Sequence, residues 1–294
     1  NITVYDMNSD GRAEVILRIA NGVRFGDGAT FTNSDNNRQF MAVLNGMTGA
    51  MIANRAVPTT YLADGPMNGH MGIAYLDGVN PSVVWSCKNR VGSGRFNMMV
   101  TAYTLQGSTL NLNWTFLRTQ NNPDGHNLRC ADVDGDGRDE VIPFGYALRP
   151  DGTLLWGLGS RGVVHGDRFQ IGKFDPTRAG LQGYAIQQDN SSGLAWVYYD
   201  ARNGNILQSQ IYGNADYGRG LAGDFDPRHA GWEFWTFTNG IFNISGNRVA
   251  NEIPDSYANL RIFWDGDILS ENLDNFKMTK WDYANTSERR LYDF

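Results

Sequence analysis

Only four histidines and two cysteines occur in 294 residues, and the 25 lysines and arginines are outnumbered by 31 aspartates and glutamates. Each shortage excludes something. A net charge of −6 argues against a nucleic-acid partner, whose phosphates need a basic surface. Two cysteines cannot build a disulfide scaffold. Cys87 and Cys130 pair only if their Cα atoms lie within about 7 Å, so one disulfide and two buried thiols stand as equal alternatives. No apolar run approaches the roughly 18 residues that span a bilayer, and no basic-then-apolar leader opens the chain, so no membrane partner is expected.

Glycine is abundant (35), as are tyrosine (13) and tryptophan (8). Asn-Gly and Asp-Gly pairs between short β-rich runs favour short strands joined by tight turns, an all-β chain. A hydrophobic share of 41% with 19% charge is that of a folded protein. The sequence starts at Asn1, without Met and inside a motif, as expected of a processed, secreted extracellular protein that is also a piece of a longer one. Sequons beginning at Asn1, Asn113, Asn190, Asn243 and Asn285 suit a secreted glycoprotein.

Acidic residues are gathered rather than spread. In the stretch from Cys130 to Ile142, CADVDGDGRDEVI, Asp132, Asp134, Asp136, the carbonyl of Arg138 and Glu140 hold positions 1, 3, 5, 7 and 9 of a loop, and Gly137 permits the sharp turn. Alternate residues of such a loop point inward, and hard oxygen donors around one point suit Ca2+. An EF-hand carries its glutamate later and runs into a helix; here Glu140 leads into the strand-like Val141-Ile142-Pro143-Phe144, so the loop is expected between two strands.

Asp6, Asn8, Asp10, Arg12 and Glu14 repeat this spacing. Asp224, Asp226 and Glu233 form a third version, one residue longer and with Pro227 in place of glycine. In the stretch from Lys173 to Gln182 the first acid is lysine and the last is glutamine, so the ammonium is expected where the metal would be. Asp77-Gly78 followed by Ser82-Val83-Val84-Trp85 is a remnant that keeps strand and turn. Such loops are expected to clip strands together rather than to touch a substrate. Two or three Ca2+ ions would move the charge from −6 to about −2 or 0, easing the approach of a polyanion.

Asp77, Asp132, Asp175 and Asp226 follow one another at intervals of 55, 43 and 51 residues, with further strand and turn signals between them. A unit of about 40 to 50 residues with about four strands is the size of a propeller blade. The expected fold is a β-propeller of four-stranded blades with calcium-binding hairpin loops, one domain over residues 1–294, with a pair of β-sandwiches as the alternative. About six blades fit the length, either alone or as part of a seven- or eight-bladed ring, and the protein is expected to act as a monomer.

Several phrases together resemble the rhamnogalacturonan lyases of polysaccharide lyase family 11. They are Gly125-His126-Asn127-Leu128 leading into Ala131 to Gly137, His165-Gly166-Asp167, Phe174-Asp175-Pro176 through Gly180-Leu181, Gly218-Arg219-Gly220 leading into Asp224 to Pro227, and Trp264-Asp265-Gly266-Asp267. The resemblance implies an eight-bladed, calcium-rich propeller that cleaves the rhamnose-galacturonate backbone of rhamnogalacturonan-I. It also implies terminal blades and an Asn-Gly-Thr-Lys segment, with a candidate catalytic lysine, that would follow Phe294. The sequence departs from the family pattern at Lys173 and Gln182, and at Gln170, where the pattern has a second histidine. These departures leave room for a relative that releases rhamnose from glucuronate in arabinogalactan-type gum. A non-catalytic, calcium-stabilised glycan-binding or adhesion propeller is the alternative from another class.

A uronate lyase works by β-elimination: a base takes the C5 proton, α to the carboxylate, and the leaving O4 receives a proton. A cation on the carboxylate stabilises the enediolate, and a neutral imidazole can act as base near neutral pH. The resemblance makes His126 a candidate catalytic residue, against the alternative of a histidine that bonds a loop carbonyl. His165 stands at a glycine turn with Asp167 placed to orient it or to hold substrate, against the alternative of an Asp-capped turn. Arg219, between two glycines, can grip a carboxylate with both arms of its guanidinium. Asn127 and Tyr217 complete the expected substrate-binding set. Trp156, Trp235, Trp264, Tyr198, Tyr199 and Tyr217 offer rings for stacking on sugars, although packing is the expected role of each. His70 is expected to be structural and His229 exposed.

Overall fold

The computed structural model describes residues 2–58, 68–91, 95–119, 121–188, 191–237, 240–254 and 260–294. The sequons at Asn1 and Asn190 lie outside the described residues. Among those described, helix is limited to one 3-10 turn, Gly159–Arg161, and no helix is long and apolar enough to cross a membrane.

The first sheet joins β1 (Ile2–Tyr5), β2 (Glu14–Ile19), β3 (Phe40–Asn45) and β4 (Met51–Ala56). The second joins β5 (Asn68–Ala74), β6 (Ser82–Val91), β7 (Arg95–Gln106) and β8 (Thr109–Leu117). A two-residue strand, β9 (Asp124–Gly125), precedes the third sheet of β10 (Leu128–Ala131), β11 (Glu140–Pro143), β12 (Tyr146–Leu148) and β13 (Leu154–Gly157). Next comes β14 (His165–Gly166), paired in parallel with β9. The fourth sheet is β15 (Arg168–Gly172), β16 (Gln182–Ile186), β17 (Leu194–Asp200) and β18 (Ile206–Ile211). The fifth is β19 (Gly220–Gly223), β20 (Glu233–Thr236), β21 (Ile241–Asn243) and β22 (Arg248–Ala250). The sixth is β23 (Leu260–Ile262), β24 (Glu271–Leu273), β25 (Lys277–Asp282) and β26 (Ser287–Asp293). The described residues thus form six four-stranded antiparallel meanders, the repeat unit expected from the sequence.

The chain divides into two compact units, residues 1–120 with 128–143 and 147–155, and residues 121–127 with 144–146 and 156–294. In the first, Met7, Ile16, Met41, Val43, Trp85 and Tyr103 share a buried cluster. Cys87, in that cluster, and Cys130, elsewhere in the same unit, are free thiols, and burial pushes both up to about 12. The disulfide alternative is therefore not realised.

In the second unit aromatic rings fill the core. Tyr184 stacks on Phe234 at 4.9 Å, and Tyr198 lies 4.8 Å from the same ring. Trp156, whose Nε1 donates to the carbonyl of Ala201 (2.9 Å), meets Tyr199 edge-on at 5.3 Å. Of the six aromatic residues offered for sugar stacking, five are buried and Trp264 is exposed. Tyr198 and Tyr199 lie on β17 and Trp235 on β20, strands that are buried along their whole length. The last strand, β26, mostly faces water.

One regularity was only partly visible in the sequence. In each of the six four-stranded sheets the loop between the first two strands is the acidic or remnant loop, and the second strand of five of them begins with its final side chain: Glu14, Glu140, Gln182, Glu233 and Glu271. Each of the five accepts a backbone N–H from the start of its own loop, at Met7, Val133, Phe174, Phe225 and Trp264. A buried carboxylate or amide oxygen at the strand start is therefore a fixed point of the hairpin.

Candidate active site

The two short strands β9 and β14 place the histidines. Asp124-Gly125-His126 runs parallel to His165-Gly166-Asp167, with Asp124 opposite His165 and Gly125 opposite Gly166. Alternation along a strand puts the outer residues of each triplet on one face and the glycine on the other. The glycines are required on that second face. A Cβ on Gly166 would run into the Phe144 ring and the Ile186 carbonyl, and one on Gly125 would run into Phe144. With the glycines pressed down, all four functional side chains project together.

Two reciprocal acid-imidazole pairs result. His165 Nδ1 bonds Asp124 Oδ1, and the pair is largely shielded, with side chains 21% and 13% exposed. His126 Nε2 stands 3.5 Å from Asp167 Oδ1 in a more open position, 39% and 27% exposed. The two imidazoles meet edge-on with centroids 5.2 Å apart. Asn127 Nδ2 donates to the Asp167 carbonyl (2.5 Å), so this residue holds the cluster's backbone.

His165 Nε2 is bonded to Gln188 Oε1 (2.9 Å), and Gln188 Nε2 donates to Asp216 Oδ2 (2.7 Å). The neighbouring Gln187 is buried. It accepts the Val164 N–H (2.6 Å) and donates to the carbonyls of Gly162 and Leu194 (3.0 Å each), which fixes the backbone just before His165. His126, His165 and Asp167 offer ligand atoms within 4.8 Å of one another. Both His165 nitrogens also have side-chain partners, Asp124 and Gln188.

The sequence reading named His126, His165, Asp167 and Asn127, and the structure brings them together. Arg219 is half-buried just before β19, and Thr236 Oγ1 donates to its carbonyl (3.0 Å). Its flanking glycine has a packing cause: a Cβ on Gly220 would run into the Trp235 carbonyl. Gln170 Oε1 on β15 accepts the N–H of Ala222 on β19 (3.3 Å), so the amide that departs from the family pattern ties two strands. Tyr217 is 3% exposed in the aromatic core and donates its hydroxyl to the Gly213 carbonyl (2.6 Å), which leaves no open ring face for a sugar. His70 is exposed, and His229 is half-buried, 3.8 Å from Asp226. Asp124, Gln188 and Asp216 were missed. Asp124 had a signal in the mirrored triplets Asp-Gly-His and His-Gly-Asp, whereas Gln188 and Asp216 had none.

The acidic loops differ in how well they suit an ion. Carboxylate oxygens of Asp132, Asp134 and Asp136 lie within 4.8 Å of one another. The turn is held open by N–H donors from Gly135 and Gly137 to Asp132 (2.6 and 2.9 Å) and from Arg138 to Asp136 (2.8 Å). Burial and the three aspartates push Glu140 up to about 7, the signature of negative charge without a counter-charge. The loop of Asp6, Asn8 and Asp10 repeats the scheme with N–H donors from Gly11 and Arg12 (2.8 Å each). In the third loop Glu233 is fully buried, one of its oxygens has no hydrogen-bond partner, and burial pushes it up to about 8. There Arg228 grips both oxygens of Asp226 (2.8 and 2.6 Å), so the guanidinium competes for a predicted ligand, while Asp224 remains half-buried beside it. A hard cation fits the oxygen donors of the first two loops. In the fourth loop Lys173 Nζ donates to the Arg178 carbonyl.

The family model for "Rhamnogalacturonan lyase family 11, C-terminal domain" matches residues 1–294. The chain is 33% identical over 315 residues to the rhamnogalacturonan endolyase YesW of Bacillus subtilis (strain 168), covering 98% of this chain and 49% of the relative. It is 32% identical over 332 residues to the rhamnogalacturonan exolyase YesX of the same organism, covering 98% and 52%. A solved structure of the Bacillus licheniformis rhamnogalacturonan lyase PL11 superposes with a TM-score of 0.88 at 31% identity, over 99% of this chain and 52% of that one. The chain spans about half the length of the curated relatives it matches.

Proposed function

We propose, from the premise that the chain belongs to rhamnogalacturonan lyase family 11, that it cleaves the rhamnose-galacturonate bond of rhamnogalacturonan-I by β-elimination. The observation that carries this reading is the pair of reciprocal Asp–His contacts on β9 and β14. Elimination needs one group to accept the C5 proton and another to give a proton to O4 as the C4–O4 bond breaks and C4=C5 forms. Two imidazoles 5.2 Å apart, each beside its own carboxylate, can fill both roles on one sugar. Arg219 has the charge to hold the uronate carboxylate.

A bound divalent ion would supply positive charge for the polyanion and for the acidic loops. Asp132, Asp134, Asp136 and Glu140, and Asp6, Asn8, Asp10 and Glu14, would hold it, with the carbonyls of Arg12 and Arg138; calcium is the ion their oxygen donors favour. The reading includes a propeller arrangement of the six sheets as one domain, secretion, and action as a monomer on acidic plant polysaccharide. Of the described sequons, Asn113 and Asn285 are exposed and Asn243 is buried, so glycosylation is expected at the first two. Gln170, in place of the family's histidine, favours as a second reading a lyase that releases rhamnose from glucuronate in gum.

The test follows ultraviolet absorbance of the C4=C5 uronate during incubation with rhamnogalacturonan-I, and separately with glucuronate-linked rhamnose glycan, Ca2+ being present. Absorbance should rise on the first substrate, and H126A, H165A and R219A should each nearly abolish the rise while staying folded. A folded wild-type protein inert on both substrates would overturn the lyase reading and leave a glycan-binding module.

A further inference from the structure

Charge is unevenly spread along the chain. Between Asp77 and Asp124 there is no aspartate or glutamate, although the chain carries 31 of them. The same stretch holds four cations, Lys88, Arg90, Arg95 and Arg118. A surface kept soluble by charge intersperses both signs, so a stretch of one sign acts as a local field on a partner. The fold gathers these cations at one place. The pairing of β6 with β7 continues through Asn89 opposite Asn97, Arg90 opposite Phe96 and Val91 opposite Arg95. Among the described residues, pairing with β5 ends at Asn68 opposite Lys88, and pairing with β8 ends at Leu117 opposite Met99. Lys88, Arg90 and Arg95 thus lie in the last four rungs of this hairpin. Arg118, the residue after β8, donates its backbone N–H to the Met98 carbonyl (2.9 Å) and Nη2 to the Phe96 carbonyl (3.0 Å).

Alternation puts Lys88, Arg90 and Phe96 on one face of the hairpin. Lys88 Nζ lies 4.2 Å from the centre of the Phe96 ring and Arg90 Cζ lies 4.8 Å from it. The ring attracts both cations, which restrains the side chains and reduces the entropy lost when one of them grips a ligand. Lys88 is buried and Arg90 is exposed, so Arg90 is the member of the pair that a large ligand reaches.

We propose that the β6–β7 hairpin is a binding site for the carboxylates of an acidic polysaccharide, with Arg90 gripping a uronate and Lys88 and Arg118 adding to the positive field around it. A planar guanidinium matches a carboxylate with two parallel hydrogen bonds. The acids carried by the rest of the chain disfavour the denser charge of a nucleic acid. The identity of the polyanion rests on the lyase reading, whereas the cationic site rests on the geometry of the hairpin.

The test is affinity electrophoresis of the full chain, at fixed Ca2+, through gels holding polygalacturonate, fully methyl-esterified pectin or neutral galactan. Polygalacturonate should retard the protein, less so as salt rises, and the two uncharged polymers should not. Because Arg219 is also proposed to hold a carboxylate, variants are read in an R219A background. There R90E should weaken binding about tenfold or more, and R90K, which keeps the charge and loses the two-armed grip, about threefold. R90Q reads the same loss should R90E unfold. R38E makes the same change of charge at an exposed arginine outside this stretch and should leave binding within about twofold. No retardation by polygalacturonate, a folded R90E or R90Q that binds as before, equal losses in R90E and R38E, or equal retardation by methyl-esterified pectin overturns the proposal. Polygalacturonate binding that depends on Arg90, in a wild-type chain inert on rhamnogalacturonan-I, would remove the lyase reading and uphold the hairpin as a polyuronate site.

Discussion

Two hairpin loops in corresponding positions, one in the third sheet and one in the sixth, solve the same electrostatic problem differently. The Asp132–Glu140 loop gathers three aspartate oxygens with no cationic side chain among the contacts that define it. In the sixth sheet Asp265, Asp267 and Glu271 form a similar cluster, but Lys280 of β25 sits among them, with Nζ 2.6, 2.7 and 2.8 Å from the three carboxylates. Burial pulls the Lys280 ammonium down, but its bonds to Asp265, Asp267 and Glu271 outweigh this and hold it above the ordinary lysine range. One hairpin takes an ammonium from its own sheet, and the other arranges its aspartates around backbone N–H donors. An acidic loop is therefore not by itself a metal site; what the next strands project into it decides.

Removing the resident ammonium should give the largest effect. K280M leaves the buried Glu271 facing two aspartates without a counter-charge, and should cost roughly 3–5 kcal/mol of stability in chelator, measured by denaturant unfolding. Added Ca2+ should restore part of that loss. A loss below about 1 kcal/mol would show that the ammonium is not what completes this hairpin.

The pH dependence of the ion-free protein comes next. Glu140 ordinarily titrates near 4.5 and is pushed up to about 7 in the fold. The folded state holds its proton more tightly than the unfolded chain does. Its favourable contribution is therefore present below pH 4.5 and is lost as pH rises through about 7. The loss amounts to roughly 3 kcal/mol, and Glu233, raised to about 8, extends it. The stabilisation by Ca2+ should accordingly be greatest above pH 7, and E140Q should flatten the slope in chelator. Thermal unfolding across pH, with and without Ca2+, checks the sign.

The smallest change is expected from D136N. Its side chain is exposed and accepts the Arg138 N–H (2.8 Å), so ion-free stability should move by no more than about 0.5 kcal/mol. The stabilisation gained from Ca2+ should nevertheless shrink, and a full gain in D136N would place the ion elsewhere.

Glycine spacing and aromatic runs settled the strands, the tight turns and the length of the repeat, because local backbone preference and alternation act over neighbouring residues. The acidic loops were legible for the same reason, since their donors are consecutive. The sequence also contained both halves of the histidine site, as Asp124-Gly125-His126 and His165-Gly166-Asp167, without stating that they pair. Their parallel register is a contact across about 40 residues and depends on Phe144 and Ile186 leaving room for nothing larger than glycine. Lys280 for Asp265, Gln188 for His165 and the burial of Tyr217 were likewise invisible, because each is a distance between residues far apart in the chain. The sequence by itself determined an all-β repeat with ion-shaped hairpins and a small set of chemically capable side chains. Tertiary packing alone decided which charge meets which counter-charge, because burial makes an unmatched charge costly only once the strands have closed around it.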